Sequence, residues 1–287
     1  MIKLKRWFRK LNYKYSNFKS QDENAIKLYW WNGKTNLGDV VNKFIAEQLS
    51  NKTVEWVPSN YSEPYHLAIG SVIQKCNDNS IVWGSGIISD NNKIPLEPKE
   101  VLAVRGPLTR EHFINSGIAC PEVYGDPALI LPRLLSPESK EIKYEIGIIP
   151  HYVDKDHKFF NQSFPENITL IDIETDDIQL FINQINSCEM ILSSSLHGVI
   201  IADAYGVPAH HIQFSDNVKG NNFKFRDYYM SVSRDEHKPI YIQSDTEVES
   251  LYELNKDIKL DIQVEKLIEV CPFIDKEVKK RLLDNNK

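Results

Sequence analysis

The residues best suited to chemistry lie in a short polar stretch between two apolar ones. Three serines at 193–195 and His197 follow an apolar run at 190–192, and a segment with helical spacing comes next. This order predicts a strand, a tight loop and a helix. A helix N-terminus offers unpaired N–H groups to an anion, and an imidazole titrates near neutral pH. His197 is therefore a candidate acid or base beside the hydroxyls of Ser194 and Ser195, unless the serines only cap the helix and His197 packs in the loop.

A second loop of this kind follows the strand-like run at 26–31. Residues 32–39 are polar and contain glycine, and apolar residues at 40–49 then recur at helical spacing. Glycine lets a backbone approach a ligand closely, so Gly38 and Asp39, at the predicted start of this helix, are candidate binding residues. The loop has neither Walker A nor GxGxxG order, so a nucleotide site is not indicated.

Arg105 has a comparable position. It follows the strand predicted at 101–104 and precedes Pro107, which suits the first turn of a helix. A guanidinium at a strand end can hold a carboxylate or phosphate with paired hydrogen bonds, and the alternative is a salt bridge between domains. Gly84 and Ser85 lie where another predicted strand, at 80–88, opens into small residues that again leave room for a ligand.

The segment at 221–229 carries two cations, Lys224 and Arg226, among four aromatic residues. The aromatic residues alone are compatible with ordinary surface packing. The two cations together favour an anion-binding or sugar-binding edge. Both interpretations remain open from the residues alone.

Predicted strands and helices alternate in both halves of the chain, and a stretch rich in proline and serine at 132–140 separates the halves. This alternation predicts an α/β protein with two Rossmann-like, doubly wound domains that face one another across a cleft. The predicted strands lie at 26–31, 66–71, 80–88, 101–104, 123–127, 144–149, 168–173, 190–192 and 208–214. The predicted units are a basic aromatic arm at 1–21, domains at 22–135 and 142–245, and a C-terminal helical segment at 246–287.

Composition narrows the class of protein. The chain has 287 residues, of which 41% are hydrophobic, which is enough for two domains with real cores. A formal net charge of −6 argues against general nucleic-acid binding. The four cysteines show no CxxC spacing, so neither a zinc site nor a disulfide framework is indicated, and a cytoplasmic protein with reduced thiols is the simplest interpretation.

The N-terminal arm is unusual in composition. No run of about 18 apolar residues occurs in the chain, which argues against a membrane-spanning helix. Residues 1–20 instead interleave Lys and Arg with aromatic residues and contain no acidic residue. Such an arm can lie on an anionic membrane surface, and the alternative is an ordinary solvated tail.

Short motifs recur along the chain in a fixed order. They are Asn36-Leu-Gly-Asp39, Trp83-Gly-Ser-Gly86, Val104-Arg-Gly-Pro-Leu-Thr109, Tyr124-Gly-Asp-Pro127, Ser193-Ser-Ser-Leu-His-Gly198 and Ala204-Tyr-Gly-Val-Pro208. Together they resemble the polysaccharide pyruvyl transferase family over roughly residues 26–230. Residues 222–228 resemble in particular the branch that includes ketal pyruvate transferases of bacterial exopolysaccharide synthesis.

The resemblance implies a GT-B-like pair of Rossmann-type domains. It also implies transfer of a pyruvyl group from phosphoenolpyruvate to two hydroxyls of a sugar, which gives a cyclic ketal and inorganic phosphate. Asp126 and Leu196 lie within the matching motifs and are implied binding residues. The chain departs from the family at Ser195, where many members have arginine before Leu-His. The charge of that arginine would then come from Lys224 or Arg226.

The implied chemistry agrees with the residue types. Phosphoenolpyruvate carries a carboxylate and a phosphate, so its site needs cations and backbone donors, which Arg105, Lys224, Arg226 and the helix start after His197 would supply. The methylene carbon must gain a proton and the attacking hydroxyl must lose one, and an imidazole suits either step. His197 is the predicted acid/base residue, with His151 in reserve. No metal or cofactor is required, because Arg and Lys can meet the leaving phosphate.

Three functions stay open at this point. The first is pyruvyl transfer to a glycan of a cell-surface polysaccharide or its lipid-linked precursor; a lipid-linked acceptor would hold a cytoplasmic enzyme on the inner membrane face through residues 1–20. The second is a GT-B-type glycosyltransferase that uses a nucleotide sugar, although no acidic residue is placed for a ribose. The third is a non-catalytic glycan-binding subunit, for which Ser195 is the main support.

Overall fold

The first half of the chain forms a parallel sheet. The computed structural model describes residues 13–33, 36–220, 222–235 and 238–284. The strands of this half are β1 (Ile26–Leu28), β2 (Val54–Trp56), β3 (Tyr65–Leu67), β4 (Ser80–Trp83) and β5 (Glu100–Ala103). They pair in the order β2-β1-β3-β4-β5, all parallel. The described helices of this half are α1 (Leu37–Ser50) and α2 (Pro107–Asn115).

The second half repeats the arrangement. Its strands are β6 (Tyr144–Ile149), β7 (Ile168–Leu170), β8 (Cys188–Ser193), β9 (Ala209–Gln213) and β10 (Ile240–Tyr241). They pair in the order β7-β6-β8-β9-β10, again all parallel. The described helices are α3 (Ile178–Asn186), α4 (Leu196–Ala204) and α5 (Phe223–Ser231). Two five-stranded parallel sheets confirm the expected α/β class and are consistent with two Rossmann-like domains.

Both sheets therefore have the strand order 2-1-3-4-5 when the strands are counted within each half. In such a sheet the connections after the first and third strands diverge, and the crevice between them at the carboxyl ends is where ligands bind. These connections follow β1 and β3 in the first half and β6 and β8 in the second. The backbone N–H of Leu37, at the start of α1, donates to the carbonyl of Ile173 (3.0 Å), so the crevice of the first half adjoins the second half.

Local sequence explains the two helices that begin at these crevices. The side chain of Asn36 caps α1 by accepting from the N–H of Gly38, and Asn51, with φ 53°, ends the helix in the left-handed region. Helix α4 is apolar on nearly every side, as expected for an enclosed helix. It packs against the 3-10 helix Pro127–Arg133 of the first half.

One apolar cluster joins the two halves. It includes Leu28 and Trp83 from the first half and Ile149 and Val199 from the second. The C-terminal helices α6 (Val264–Glu269) and α7 (Lys276–Asp284) return to the first half. There the carbonyl of Leu267 accepts from Nε1 of Trp83 (2.9 Å). The halves thus pack together through a common core.

The strand predicted at 123–127 is wrong. In the structure Val104 and Tyr124 form an isolated parallel bridge, and the chain then enters the 3-10 helix at Pro127. Proline lacks an N–H and cannot continue a ladder, so pairing ends there. The consequence is that Asp126 lies in a tight turn beside the sheet.

Part of the basic aromatic arm packs on the first half. The ring of Phe18 meets Trp56 and Tyr61 edge-on, with centroids 6.5 and 5.9 Å apart, and the Tyr13 hydroxyl donates to the carbonyl of Ser59. Residues 1–12 lie outside the described residues. Within the described part of the chain, no helix has the length and apolar character needed to cross a bilayer.

Candidate active site

His197 lies where the N-terminus of α4, in the second half, meets the N-terminus of α1, in the first half. It is the second residue of α4, and Gly38 is the second residue of α1. A Cβ atom on Gly38 would lie 2.0 Å from Nδ1 of His197. Only glycine leaves space for the imidazole at this point. The glycine that the sequence singled out as a point of close backbone approach is therefore in contact with the predicted acid/base residue.

Asp126 lies on the other side of the imidazole. Its Oδ2 is 3.7 Å from Nε2 of His197, and neither atom has a hydrogen-bond partner in the described structure. The other oxygen, Oδ1, accepts from the N–H of Ala128 and fixes the carboxylate. His197 keeps 14% of its side chain exposed, whereas its Nε2 atom and the Asp126 carboxylate are buried, so the exposed part of the ring is its side away from Asp126. Asp126 is suited to orient the imidazole and stabilise its protonated form.

Gly84 explains how Asp126 reaches this position. It has φ 91°, in the left-handed region, and a Cβ there would lie 2.3 Å from Cδ of Pro127. The glycine thus permits the turn that carries Asp126 to lie against the end of β4. Gly84 therefore acts on the site through the backbone, since it has no side chain to bind a ligand.

Asp39, in the first turn of α1, adds a second carboxyl group. Burial raises its pKa to about 7, while the charge of His197 and a hydrogen bond from the Trp31 backbone act in the opposite direction. A carboxyl group with this pKa can gain and lose a proton near neutral pH.

The loop after β6 is tied to the loop after β8. The His151 N–H donates to Oγ of Ser194 (2.7 Å), and the same hydroxyl donates to Oδ2 of Asp154 (3.0 Å). Burial, together with the charges of Lys224 and His197, lowers the pKa of His151 to about 3. His151 is therefore neutral at physiological pH and lies near both of those groups. A neutral imidazole of this kind can accept a hydrogen bond from a hydroxyl.

Ser195 and Leu196 contribute backbone rather than side chains. Leu196 belongs to the apolar cluster and is 4% exposed. Ser195 is buried and is the N-cap residue of α4, but its side chain makes no capping hydrogen bond. The first N–H groups of α4 therefore have no side-chain cap, and they belong to residues that are buried or half-buried.

Arg105 lies at the predicted strand end, between β5 and α2, and its guanidinium is already bonded within the protein. All three nitrogens of its fully buried guanidinium have partners: Nε donates to Asp227 (3.0 Å), Nη1 to Oγ of Ser71 (2.6 Å) and Nη2 to the carbonyl of Ile87 (2.7 Å). Nη2 also lies 2.9 Å from the Asp227 carboxylate. Direct contact with a donor would require these bonds to break. The arrangement corresponds to the alternative that the sequence left open, a salt bridge between the halves.

Ser85 has a similar internal role. It is fully buried, and its hydroxyl donates to the carbonyl of Gly70 (2.8 Å). This bond joins the loops after β3 and β4. Ser85 therefore supports the crevice of the first half and has no surface that a ligand can touch.

Lys224 and Arg226 do not act as a pair. Residues two apart on a helix point in directions that differ by about 200°. Lys224 is half-buried and Arg226 is exposed. Burial and the charge of Arg105, partly opposed by the charge of Asp154, lower the pKa of Lys224 to about 8. Lys224 is therefore the cation that lies near His151, whereas Arg226 lies on another face of α5.

Three residues that matter here were missed in the sequence. Asp154 holds Ser194, Asp227 holds Arg105, and His211 lies stacked on Phe225 with ring centroids 3.4 Å apart. Asp154 follows a predicted strand end, which was a usable signal. Asp227 and His211 had no local signal, because their partners are distant in sequence.

Comparisons with known proteins identify the family. A sequence model described as "Polysaccharide pyruvyl transferase" matches residues 4–216. The uncharacterized protein L143 of Acanthamoeba polyphaga mimivirus is 32% identical over 225 residues, which cover 74% of this chain and 77% of L143. The succinoglycan biosynthesis protein ExoV of Rhizobium meliloti (strain 1021) is 27% identical over 221 residues, which cover 71% of this chain and 64% of ExoV. The family match contains both crevices and the Asp126–His197 pair, and the chain belongs to the polysaccharide pyruvyl transferase family.

Proposed function

We propose that the protein transfers the pyruvyl group of phosphoenolpyruvate to two hydroxyls of a sugar, forming a cyclic ketal and releasing phosphate. Family membership supports a pyruvyl transferase. The observation that carries the proposal is the imidazole of His197, held between Asp126 and the start of α1 beside the uncapped start of α4. A proton-transfer group and an anion-binding helix end are thus adjacent.

The donor carries a phosphate and a carboxylate, and two features of the site favour the binding of an anion. The first N–H groups of α4 lack a side-chain cap. Lys224 lies close enough to His151 to lower its pKa, so its charge extends into the site. Together the helix end and the ammonium would hold the phosphate and carboxylate. In this proposal Lys224 supplies the positive charge of the arginine that many family members have at the position of Ser195.

Arg105 would act through Lys224. Its bond to Asp227 anchors α5 to the first half, and Asp227 lies three residues after Lys224, on the same face of the helix. Removal of the bond would let the turn that carries Lys224 move. Arg105 is therefore a positioning residue in this proposal.

The residues at the site can accept and donate the protons that move in this reaction. Two sugar hydroxyls lose protons, one proton becomes part of the new methyl group, and the other leaves with phosphate. His197 would exchange protons with the methylene carbon and the attacking hydroxyl, with Asp126 stabilising the imidazolium. Asp39, with a pKa of about 7, would hold the remaining proton, and neutral His151 would accept a hydrogen bond from the sugar.

The proposed acceptor is a sugar of a cell-surface polysaccharide or its lipid-linked precursor. The printed name of ExoV links one relative to succinoglycan biosynthesis. We place the reaction in the cytoplasm, on the inner membrane face if the acceptor is lipid-linked. Lys14 and Lys19 are exposed while Tyr13 and Phe18 pack on the protein, so this end of the arm would offer charge to a membrane rather than aromatic rings.

A direct assay tests the proposal. The protein is incubated with phosphoenolpyruvate and candidate acceptor glycans, and phosphate release is followed together with the mass of the glycan. We expect equal amounts of phosphate and of glycan heavier by one carboxyethylidene group. Consumption of a nucleotide sugar alone would indicate a glycosyltransferase, and glycan binding without turnover would indicate a binding subunit; either result contradicts the proposal.

The same assay tests His197. We expect His197→Ala to lower turnover at least about 100-fold, because it removes the acid/base group. His112→Ala is the matched control, since His112 pairs with the exposed Asp90 and should leave turnover near wild type. Near-wild-type turnover in a folded His197→Ala protein would remove His197 from the mechanism.

A further inference from the structure

The C-terminal end of α5 builds a second polar site, separate from His197. Ser233, with φ 55°, reverses the chain after the helix, and the N–H of Arg234 donates back to the carbonyl of Tyr229 (2.9 Å). This turn brings the guanidinium over the Tyr229 ring, 4.4 Å from its centroid. Nη2 of Arg234 then donates to the carbonyl of Ala209 (2.8 Å), at the first residue of β9.

The site is the wall of a cavity of about 590 Å³. The cavity lies beside the first half of β9, because β10 pairs with β9 only from Ile212 onward. His211, Tyr229 and Arg234 form its inner wall, and Lys238, Asp257 and Lys259 are among the residues at its exposed rim. A volume of this size suits a sugar-sized ligand.

Buried polar atoms without hydrogen-bond partners cluster at the inner wall: donors of Arg234 and Tyr229, Nδ1 of His211 and, beside them, Oδ1 of Asp203. Nε and Nη1 of Arg234 have no acceptor among the described residues. The Tyr229 hydroxyl faces the backbone amide of His211 without a hydrogen bond of normal geometry, and its own proton has no acceptor. Arg234 is 6% exposed and Tyr229 is 1% exposed, so these donors are buried. Buried donors without partners are rare, because each one loses its bond to water.

The charge of Arg234 is also incompletely balanced. The nearest carboxylate in the described structure is Asp203, whose Oδ2 lies 3.7 Å from Nη1, beyond hydrogen-bond distance. That oxygen accepts instead from the Tyr228 hydroxyl (2.9 Å). Burial raises the pKa of Asp203 to about 7, which weakens its negative charge near neutral pH. The rim carries both signs, with Lys238 and Lys259 against Asp235 and Asp257.

We propose that this cavity is a second binding pocket, which takes the carboxylate or phosphate group of a sugar-sized ligand through Arg234 and Tyr229. An oxyanion brings several acceptors and a negative charge, which the unpartnered guanidinium nitrogens of Arg234 and the Tyr229 hydroxyl can bind. The neutral rim would admit a monoanionic sugar without strong repulsion. The residues that line this cavity do not include His197, and His211 separates it from the neighbouring space beside Ser194.

Calorimetry tests the pocket without measuring activity. Inorganic phosphate, glucuronate and glucose are titrated into Lys224→Gln protein, in which the proposed donor site is weakened. We expect saturable binding of phosphate or glucuronate and none of glucose. Glucuronate alone would identify an acidic sugar as the source of the oxyanion, and phosphate alone would identify a phosphate group. No binding of either anion, or equal binding of glucose, would overturn the proposal.

Tyr229→Phe separates ligand binding from structure. Because the hydroxyl proton has no partner in the protein, its removal should leave the unfolding temperature unchanged or raise it. In the Lys224→Gln background it should weaken anion binding about tenfold, the effect of one hydrogen bond to a charged group. Tyr205→Phe is the control, since the Tyr205 hydroxyl donates to the carbonyl of Leu135 (2.7 Å). That change should lower the unfolding temperature and leave anion binding intact. Unchanged anion binding in the Tyr229→Phe protein would contradict the assignment.

Discussion

The two halves have the same strand order. They differ in whether the polar side chains that follow the strands are fully hydrogen-bonded within the protein. In the first half, Arg105 and Ser85 are fully buried and bonded within the protein. In the second half, His151 and Lys224 are only half-buried and have pKa values lowered by burial, to about 3 and about 8. Polar side chains that are fully paired stabilise the fold. Polar side chains that are buried without partners can still form hydrogen bonds or ion pairs with a ligand.

The first half also contributes two carboxyl groups that interact with His197. Asp126 lies 3.7 Å from the imidazole, and burial raises the pKa of Asp39, in the first turn of α1, while the charge of His197 lowers it. The site therefore combines carboxyl groups from one half with imidazoles and an ammonium from the other. Tight packing of the halves, rather than either half alone, produces the arrangement.

The largest expected effect is on the free energy of unfolding. Replacing Arg105 or Lys224 by methionine compares the two cations. Arg105→Met would leave the Asp227 carboxylate buried without its partner, which costs about 3–5 kcal/mol of the free energy of unfolding. Urea denaturation measures this loss.

Lys224→Met is the matched variant. Because Lys224 has no ion pair within 4 Å in the described structure, the change should alter stability by no more than about 1 kcal/mol. It should instead weaken phosphoenolpyruvate binding about tenfold. Equal stability loss in the two variants would remove the distinction between the paired and the available cation.

The second largest effect is expected from a change at the contact between Gly38, in the first half, and His197, in the second half. Gly38→Ala places a methyl group 2.0 Å from Nδ1 of His197, so the imidazole must move. We expect turnover to fall about 100-fold, as for a misplaced catalytic group. The measurement is ketal formation at saturating phosphoenolpyruvate.

Gly206→Ala is the control for this variant. Gly206 has φ 73° and no atom within 4 Å of an added Cβ. The change should cost about 1 kcal/mol of stability through backbone strain and leave turnover unchanged. If both variants lose turnover equally, the effect of Gly38→Ala is general destabilisation and not displacement of His197.

The smallest effect is on the pH dependence of stability, and it has opposite signs in the two halves. Asp39 has a pKa of about 7 in the folded protein against 3.8 normally, so the folded state retains a proton that the unfolded state loses. Its contribution to the free energy of unfolding therefore decreases as pH rises between these values. His151 has a pKa of about 3 against 6.5, so the unfolded state binds the extra proton and its contribution increases with pH.

Urea denaturation at about pH 5 and about pH 8 separates the two contributions. The stability of the wild type relative to Asp39→Asn should be lower at the higher pH. The stability of the wild type relative to His151→Gln should be higher there. Differences of the same sign would contradict one of the two assignments.

Much of the fold could be predicted from the sequence, because periodicity and turn residues act over a few positions. Helix α4 after the 190–192 strand and the glycine-rich strand ends were visible in this way. The strand at 123–127 was predicted wrongly, because its apolar start resembles a strand and Pro127 ends pairing after one bridge. Likewise, the motif order pointed to the family but did not distinguish a buried arginine from an exposed one.

The sequence by itself determined the class of fold, the family and the types of groups at the strand ends. The tertiary structure decided which of those groups are already bonded. Arg105 finds Asp227, 122 residues away, and His197 faces both Gly38 and Asp126. The physical reason is that a charge is neutralised by whatever the folded chain brings within about 4 Å, and local spacing does not encode that distance.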